Sequence, residues 1–81
     1  MKIFSVLDTK AQAYMNPVSC ATAGVALRTF EDSVNDPSSP FHKHPEDYIL
    51  FQVGSFDETT GIITPSNGEA VAKGVDLIKE V

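Results

Sequence analysis

The sequence predicts an α+β domain: a small three-stranded sheet with one packed helix, in the order strand, helix, strand, strand, followed by a C-terminal helix. Three observations carry this reading. The chain opens on Lys2-Ile-Phe-Ser-Val-Leu7, a run of β-branched and aromatic residues that stops at Asp8-Thr9-Lys10. Apolar residues then recur at helical spacing as Ala23, Leu27, Phe30 and Val34. Finally, Tyr48-Ile-Leu-Phe-Gln-Val-Gly54 alternates strictly enough to be the strongest strand in the chain.

In the first strand Phe4 and Val6 share one side, and Ile3, Ser5 and Leu7 the other. Asp8 to Val18 reads as irregular, with a turn at Asn16-Pro17. Ser19 is placed as the N-cap of a helix over 20–34, whose stripe is widened by Ala26. Arg28 and Asp32, four residues apart, are expected to pair on its outer face. Asn35-Asp36-Pro37 ends it, because the residue before a proline disfavours helical dihedrals. In the next strand Ile49, Phe51 and Val53 are assigned to the helix-covered side, completing a core with Phe4 or Val6, Leu27, Phe30 and Val34. Tyr48 and Leu50 fall on the opposite side, as the candidate face of a homodimer. Ser55 to Gly61 forms a turn, Ile62-Ile-Thr64 returns as a short antiparallel strand, and Pro65 stops it. Asn67 is expected to cap the last helix, with Val71, Val75 and Ile78 inward and Gly74 interrupting it. If the first two strands were adjacent and parallel, the crossover through the helix would be right-handed.

Eighty-one residues make a single domain over 1–81, divided into a core over 1–64 and a helical tail over 65–81. Apolar residues are 42% and charged residues 21% of the chain, which suits a folded protein and not a disordered one. So small a domain buries a modest core, and with Cys20 as its one cysteine it has no internal disulfide to brace it. That cysteine usage fits a reducing compartment. The start of the chain meets Asp8 before the apolar stretch of a secretory leader could form, and no apolar run approaches the roughly 20 residues that span a bilayer. A formal charge of −5 argues against a dedicated nucleic-acid binder, which usually carries a basic patch.

The stretch from Phe30 to Tyr48 holds three of the five prolines and both histidines, which marks a specialised connector between helix and strand. Asp8-Thr9-Lys10-Ala11, Tyr14 with Pro17, Phe30-x-Asp32-x-Val34-Asn35-Asp36-Pro37, Lys43-His44-Pro45-Glu46-Asp47-Tyr48 and Gly54-x-Phe56-Asp57 together resemble the small nonstructural protein of gokushoviruses, microviruses with single-stranded DNA genomes. The resemblance covers the chain to about Thr64. It implies a role in the phage DNA cycle, in the switch to single-strand synthesis and packaging, within the host bacterial cytoplasm. Such proteins are often described as nonstructural or DNA-binding. The resemblance supplies no catalytic motif.

Among the residues themselves, His42-Lys43-His44 is the best chemical candidate, since in an extended segment both imidazoles point the same way and Glu46 or Asp47 could join them on a metal. Against this, the chain lacks a second cysteine or third histidine, and Pro45-Glu46-Asp47 reads more simply as a turn. Cys20 at a helix start would have a lowered thiol pKa, yet no oxyanion loop or orienting group accompanies it. Phe41, between Pro40 and His42, is the aromatic placed to stack on a base.

The leading reading is a non-enzymatic phage accessory protein with no cofactor and no resident metal, acting through replication or procapsid proteins. The alternative is a direct single-stranded DNA binder using Lys2, Lys10, Arg28, Phe41, His42, Lys43 and His44. A small metal-dependent enzyme at the two histidines ranks last.

Overall fold

The computed structural model describes residues 1–79. A five-stranded antiparallel sheet replaces the three strands expected. Strand β1 (Lys2–Asp8) lies at its centre and pairs on one edge with β4 (Tyr48–Phe56), which pairs in turn with β5 (Ile63–Lys73). On the other edge β1 meets two short strands, β2 (Ala13–Tyr14) at its far end and β3 (Val18–Cys20) at its start. Because β1 and β4 run antiparallel, there is no parallel crossover for a handedness rule to govern.

The extra strands come from a hairpin within the segment expected to be irregular. The Asp8 carboxylate accepts from the backbone N–H groups of Lys10 and Ala11 at 3.0 and 3.1 Å and bends the chain back on β1. Gln12 completes the turn with a φ of 57°, a left-handed conformation uncommon outside glycine. The return strand is then interrupted at Met15-Asn16-Pro17, where proline has no N–H for the ladder. Across the gap the Met15 N–H still donates to the Val6 carbonyl at 2.8 Å, and the Ser5 hydroxyl donates to the Met15 carbonyl at 2.6 Å. That second bond satisfies Ser5, a buried polar residue.

Because Ser19 and Cys20 belong to β3, the helix starts later than expected. Helix α1 spans Ala23–Val34, with Thr22 as N-cap accepting from the Val25 N–H at 3.2 Å. It buries Ala26, Phe30 and Val34 against Phe4 and Leu50, with Val6, Cys20, Ala23, Phe41, Tyr48, Val71, Leu77 and Ile78 packed around them. The face of β4 is thus the reverse of the one expected. Leu50 is buried under the helix, whereas Leu27, Ile49, Phe51 and Val53 are only partly buried and lie outside this cluster. The partners in register explain it: Leu50 stands opposite Val6 on the helix side, while Ile49 and Phe51 stand opposite Leu7 and Ser5 on the other.

The C-terminal helix is also corrected. Asp57 accepts from the N–H groups of Thr59 and Thr60, Gly61 turns at φ 75°, and the hairpin returns as expected at Ile63. Pro65 does not end the strand. It sits opposite Gly54, beside an irregularity where Ser66-Asn67-Gly68 loops out and pairing resumes at Glu69 opposite Gln52. The strand then runs to Lys73 and ends in a 3-10 turn over Gly74–Asp76. Residues 80–81 of the expected helix lie outside the described residues. Gly74 is required by close approach, since a Cβ there would lie 2.6 Å from the Pro45 carbonyl oxygen.

These two assignments make opposite demands on Gly74. In an exposed helix Gly74→Ala would stabilise by about 1 kcal/mol. Packed on Pro45, it should cost about 1–3 kcal/mol in urea unfolding. A gain in stability would contradict the strand and tight-turn ending.

Candidate functional site

The first half of the connector from Asn35 to Asp47 is tied down by side-chain hydrogen bonds at Asn35, Asp36, Ser38, Ser39 and His42. Asn35 caps α1 and clasps the C-terminal segment: its side-chain amide donates to the carbonyls of Glu31 and Leu77 at 2.9 and 3.0 Å, and its oxygen accepts from the Lys79 N–H at 2.7 Å. The Asp36 carboxylate accepts from the backbone N–H and the hydroxyl of Ser38. Those two bonds, the backbone one first, hold its pKa below the ordinary 3.8, with a smaller contribution from His42. Ser39 caps the short helix α2 (Pro40–Lys43) through the Phe41 N–H. A 3-10 turn over Pro45–Asp47 then leads into β4, and the Asp47 carbonyl accepts both the N–H and the hydroxyl of Thr9. Two of the stretches that carry the resemblance, one around Asp8-Thr9 and one around Glu46-Asp47, therefore meet in space.

The side chains singled out for recognition are spread over this frame. Phe41 is half-buried. It wedges between Phe30 and Tyr48, with ring centroids 5.5 and 4.6 Å away. The Nδ1 atom of His42 lies 3.0 Å from the Val34 carbonyl oxygen, so this histidine latches α2 to the end of α1. Lys2 opens β1 and Lys10 lies in the turn past its other end at Asp8, both exposed and separated by a strand about 20 Å long. Arg28 is exposed on α1, where the expected pair with Asp32 is not formed; the ion pair found among the described residues joins the Met1 amino group to Glu58 at 3.6 Å. Lys43 and His44 are exposed around the end of α2. The Tyr48 phenol is pushed above its usual 10.0 by burial first, then by Asp8 and Asp47. Tyr48 and Leu50, the expected dimer face, are on the covered side instead.

The potential metal ligands are a different set from the one expected. His44, Glu46 and Asp47 offer ligand atoms within 4.8 Å of one another, and His42 is not among them. These groups range from exposed to partly buried and come from one short turn, an arrangement able to hold a divalent cation loosely. Cys20 is a partly buried strand residue that packs against the core, not a residue at a helix start.

What the sequence reading misplaced is the open face of the sheet. Opposite the helix, Ile3, Leu7, Ile49, Phe51 and Phe56 lie on the uncovered side, and Tyr14, paired with Leu7, sets its ring edge-on to Phe51 at 5.8 Å. At one end a shallow apolar groove is lined by Ile3, Pro17, Val18, Ser19, Phe56 and Ile63. The alternation that would locate this face was visible in the sequence. Its side could be fixed only by knowing that Leu50, not Phe51, meets Phe30.

A one-helix antiparallel sheet with a tied connector and a partly exposed apolar face defines a class of small protein in which much of the family-like connector serves as structure. Residues 1–77 match the family model described as Phage ORF5 protein, and the chain belongs to that family. It is also 33% identical over 69 residues to the protein named Protein ORF5 of Chlamydia phage 1, a gokushovirus, an alignment covering 80% of this chain and 72% of that relative. The gokushovirus resemblance read from the sequence is therefore upheld, and the match continues past Thr64 through β5. No solved structure matches.

Removing the Asn35 clasp should loosen the C-terminal segment before the rest. Asn35→Ala is expected to cost about 1–3 kcal/mol by leaving its partners unpaired, and hydrogen exchange should accelerate first at Lys79. Uniform acceleration would show that the clasp is not local. The acid limb follows from Asp36 and from Asp57, whose pKa is likewise lowered by the N–H groups of Thr59 and Thr60. Depressed carboxylates contribute stability that is complete above the unfolded value and lost as pH falls through the folded one. Stability should therefore fall below about pH 4, and Asp36→Asn should shallow that fall in a melting-against-pH series.

Proposed function

We propose that this chain is a non-enzymatic accessory protein of the phage that supports single-stranded DNA replication and packaging from the host cytoplasm, through contacts with replication or procapsid proteins. The observation that carries the reading is the contrast between its surfaces. The aromatic chosen for base stacking is half-buried between Phe30 and Tyr48, the basic residues are spread from one end of β1 to the other, and the open sheet face is apolar. Single-strand binders combine a basic groove with exposed aromatics, and the half-buried Phe41 and scattered lysines weigh against that alternative. Apolar faces bounded by polar residues are contact surfaces for protein. No helix of the described residues is long and apolar enough to cross a membrane.

Affinity capture of the tagged protein from infected cells, with and without nuclease, tests this. Capture of phage replication or procapsid proteins that survives nuclease treatment is expected. Partners lost on nuclease treatment would favour the DNA reading.

A direct measurement accompanies it. In fluorescence anisotropy, affinity for single-stranded DNA should be no tighter than the usual non-specific range of about 10⁻⁴ to 10⁻⁶ M and should vanish as salt rises from about 50 to 200 mM. Phe41→Ala should lower the melting temperature, because it empties the space between Phe30 and Tyr48. Tight binding abolished by Phe41→Ala in a protein that still melts normally would overturn the assignment.

A further inference from the structure

We infer that the open face of the sheet is covered by a second copy of this chain, in a two-fold dimer that apposes the two sheets through Leu7, Tyr14, Ile49 and Phe51. The inference rests on the reading of that face as a contact surface and names its occupant. Three observations point to self-association. The first is area. A folded monomer of 8.7 kDa normally exposes about 4,700 Å². This chain exposes 5352 Å², roughly 600 Å² more. That excess belongs to the whole of an elongated molecule, 45 × 24 × 18 Å, and is of the order of the roughly 800 Å² that each partner buries in a standard interface.

The second observation is the size of the core. Among the described residues the buried apolar side chains are Phe4, Ala26, Phe30, Val34 and Leu50. So few suit a chain whose folded state is completed by a permanent partner. A transient partner would leave the face bare for much of the time.

Charge is the third. The chain carries a net −5, yet the residues paired across this face include no aspartate or glutamate. Asp8 and Glu69 lie in register with Tyr48 and Gln52 on the helix side, and Lys73, beside Ile49, is the charged residue on the open side. Two such faces can meet about a two-fold axis without apposing like acidic charges, which a chain this acidic could not do over most of its surface.

Sedimentation equilibrium of the purified full-length protein tests the proposal. A species of twice the 8.7 kDa chain mass is expected at tens of micromolar. Ile49→Glu should raise the dimer dissociation constant at least about 100-fold, by burying an unpaired charge at the centre of the interface. Dilution of the wild-type dimer gives a second readout free of any folding defect: methyl resonances of Leu7 and Ile49 should shift, and those of Val25 on the exposed side of the helix should not. A wild-type monomer across this range would overturn the inference, as would a dimer whose dilution-sensitive methyls include Val25 but neither Leu7 nor Ile49. Nuclease-resistant capture of phage proteins by a monomeric wild type would remove the second copy and leave the protein-contact reading standing.

Discussion

One helix of twelve residues has to serve a five-stranded sheet, and it can cover only one side. The contact on which the fold depends is Phe30 and Val34 of that helix against Phe4 and Leu50 of the two central strands. It sets the register of β4 relative to the helix, and since side chains alternate along a strand it decides in one step which residues are left outside. Leu7, Ile49 and Phe51 are uncovered because Leu50 is covered. The connector follows from the same contact: Phe41 and Tyr48 extend the core beyond Phe30, so the chain between helix and strand must return over the end of the helix.

That return explains why the most distinctive stretch of the sequence is so dense in polar and cyclic residues. Asn35, Asp36 and Ser39 each satisfy backbone groups that a tight path would otherwise orphan. His42 and Thr9 fasten the path to the end of α1 and to the first hairpin. Two of the residues that suggest recognition chemistry in a linear reading, Phe41 and His42, are in space fasteners. The charge pattern agrees, since the carboxylates with lowered pKa, Asp36 and Asp57, bind backbone N–H groups in turns.

Much of the fold was legible in the sequence. The first strand, the helix stripe of Phe30 and Val34, the long strand from Tyr48 and the hairpin at Gly61 all follow from periodicity and turn chemistry. Three features were not. Residues 11–18 carry no alternating apolar pattern, because their strands are held by backbone pairing to β1 and by Ser5, not by burial. Residues 65–73 have small and apolar residues at a spacing that suits helix and strand alike, and close approach to Gly54 and Pro45 decides for strand. The side of β4 was ambiguous for a related reason: both of its faces are apolar, so alternation shows that there are two faces and leaves open which one the helix takes. Membership of the Phage ORF5 family was legible in the motifs.

The facing of β4 is the central claim, and a pair of truncations tests it most directly. Leu50→Ala and Ile49→Ala should be compared by urea unfolding at sub-micromolar protein, where association contributes little. Leu50→Ala is expected to lose about 2–5 kcal/mol, the usual range for a fully buried leucine, and Ile49→Ala less than half as much. Equal losses, or a larger loss at Ile49, would contradict the account and return Ile49 and Phe51 to the core.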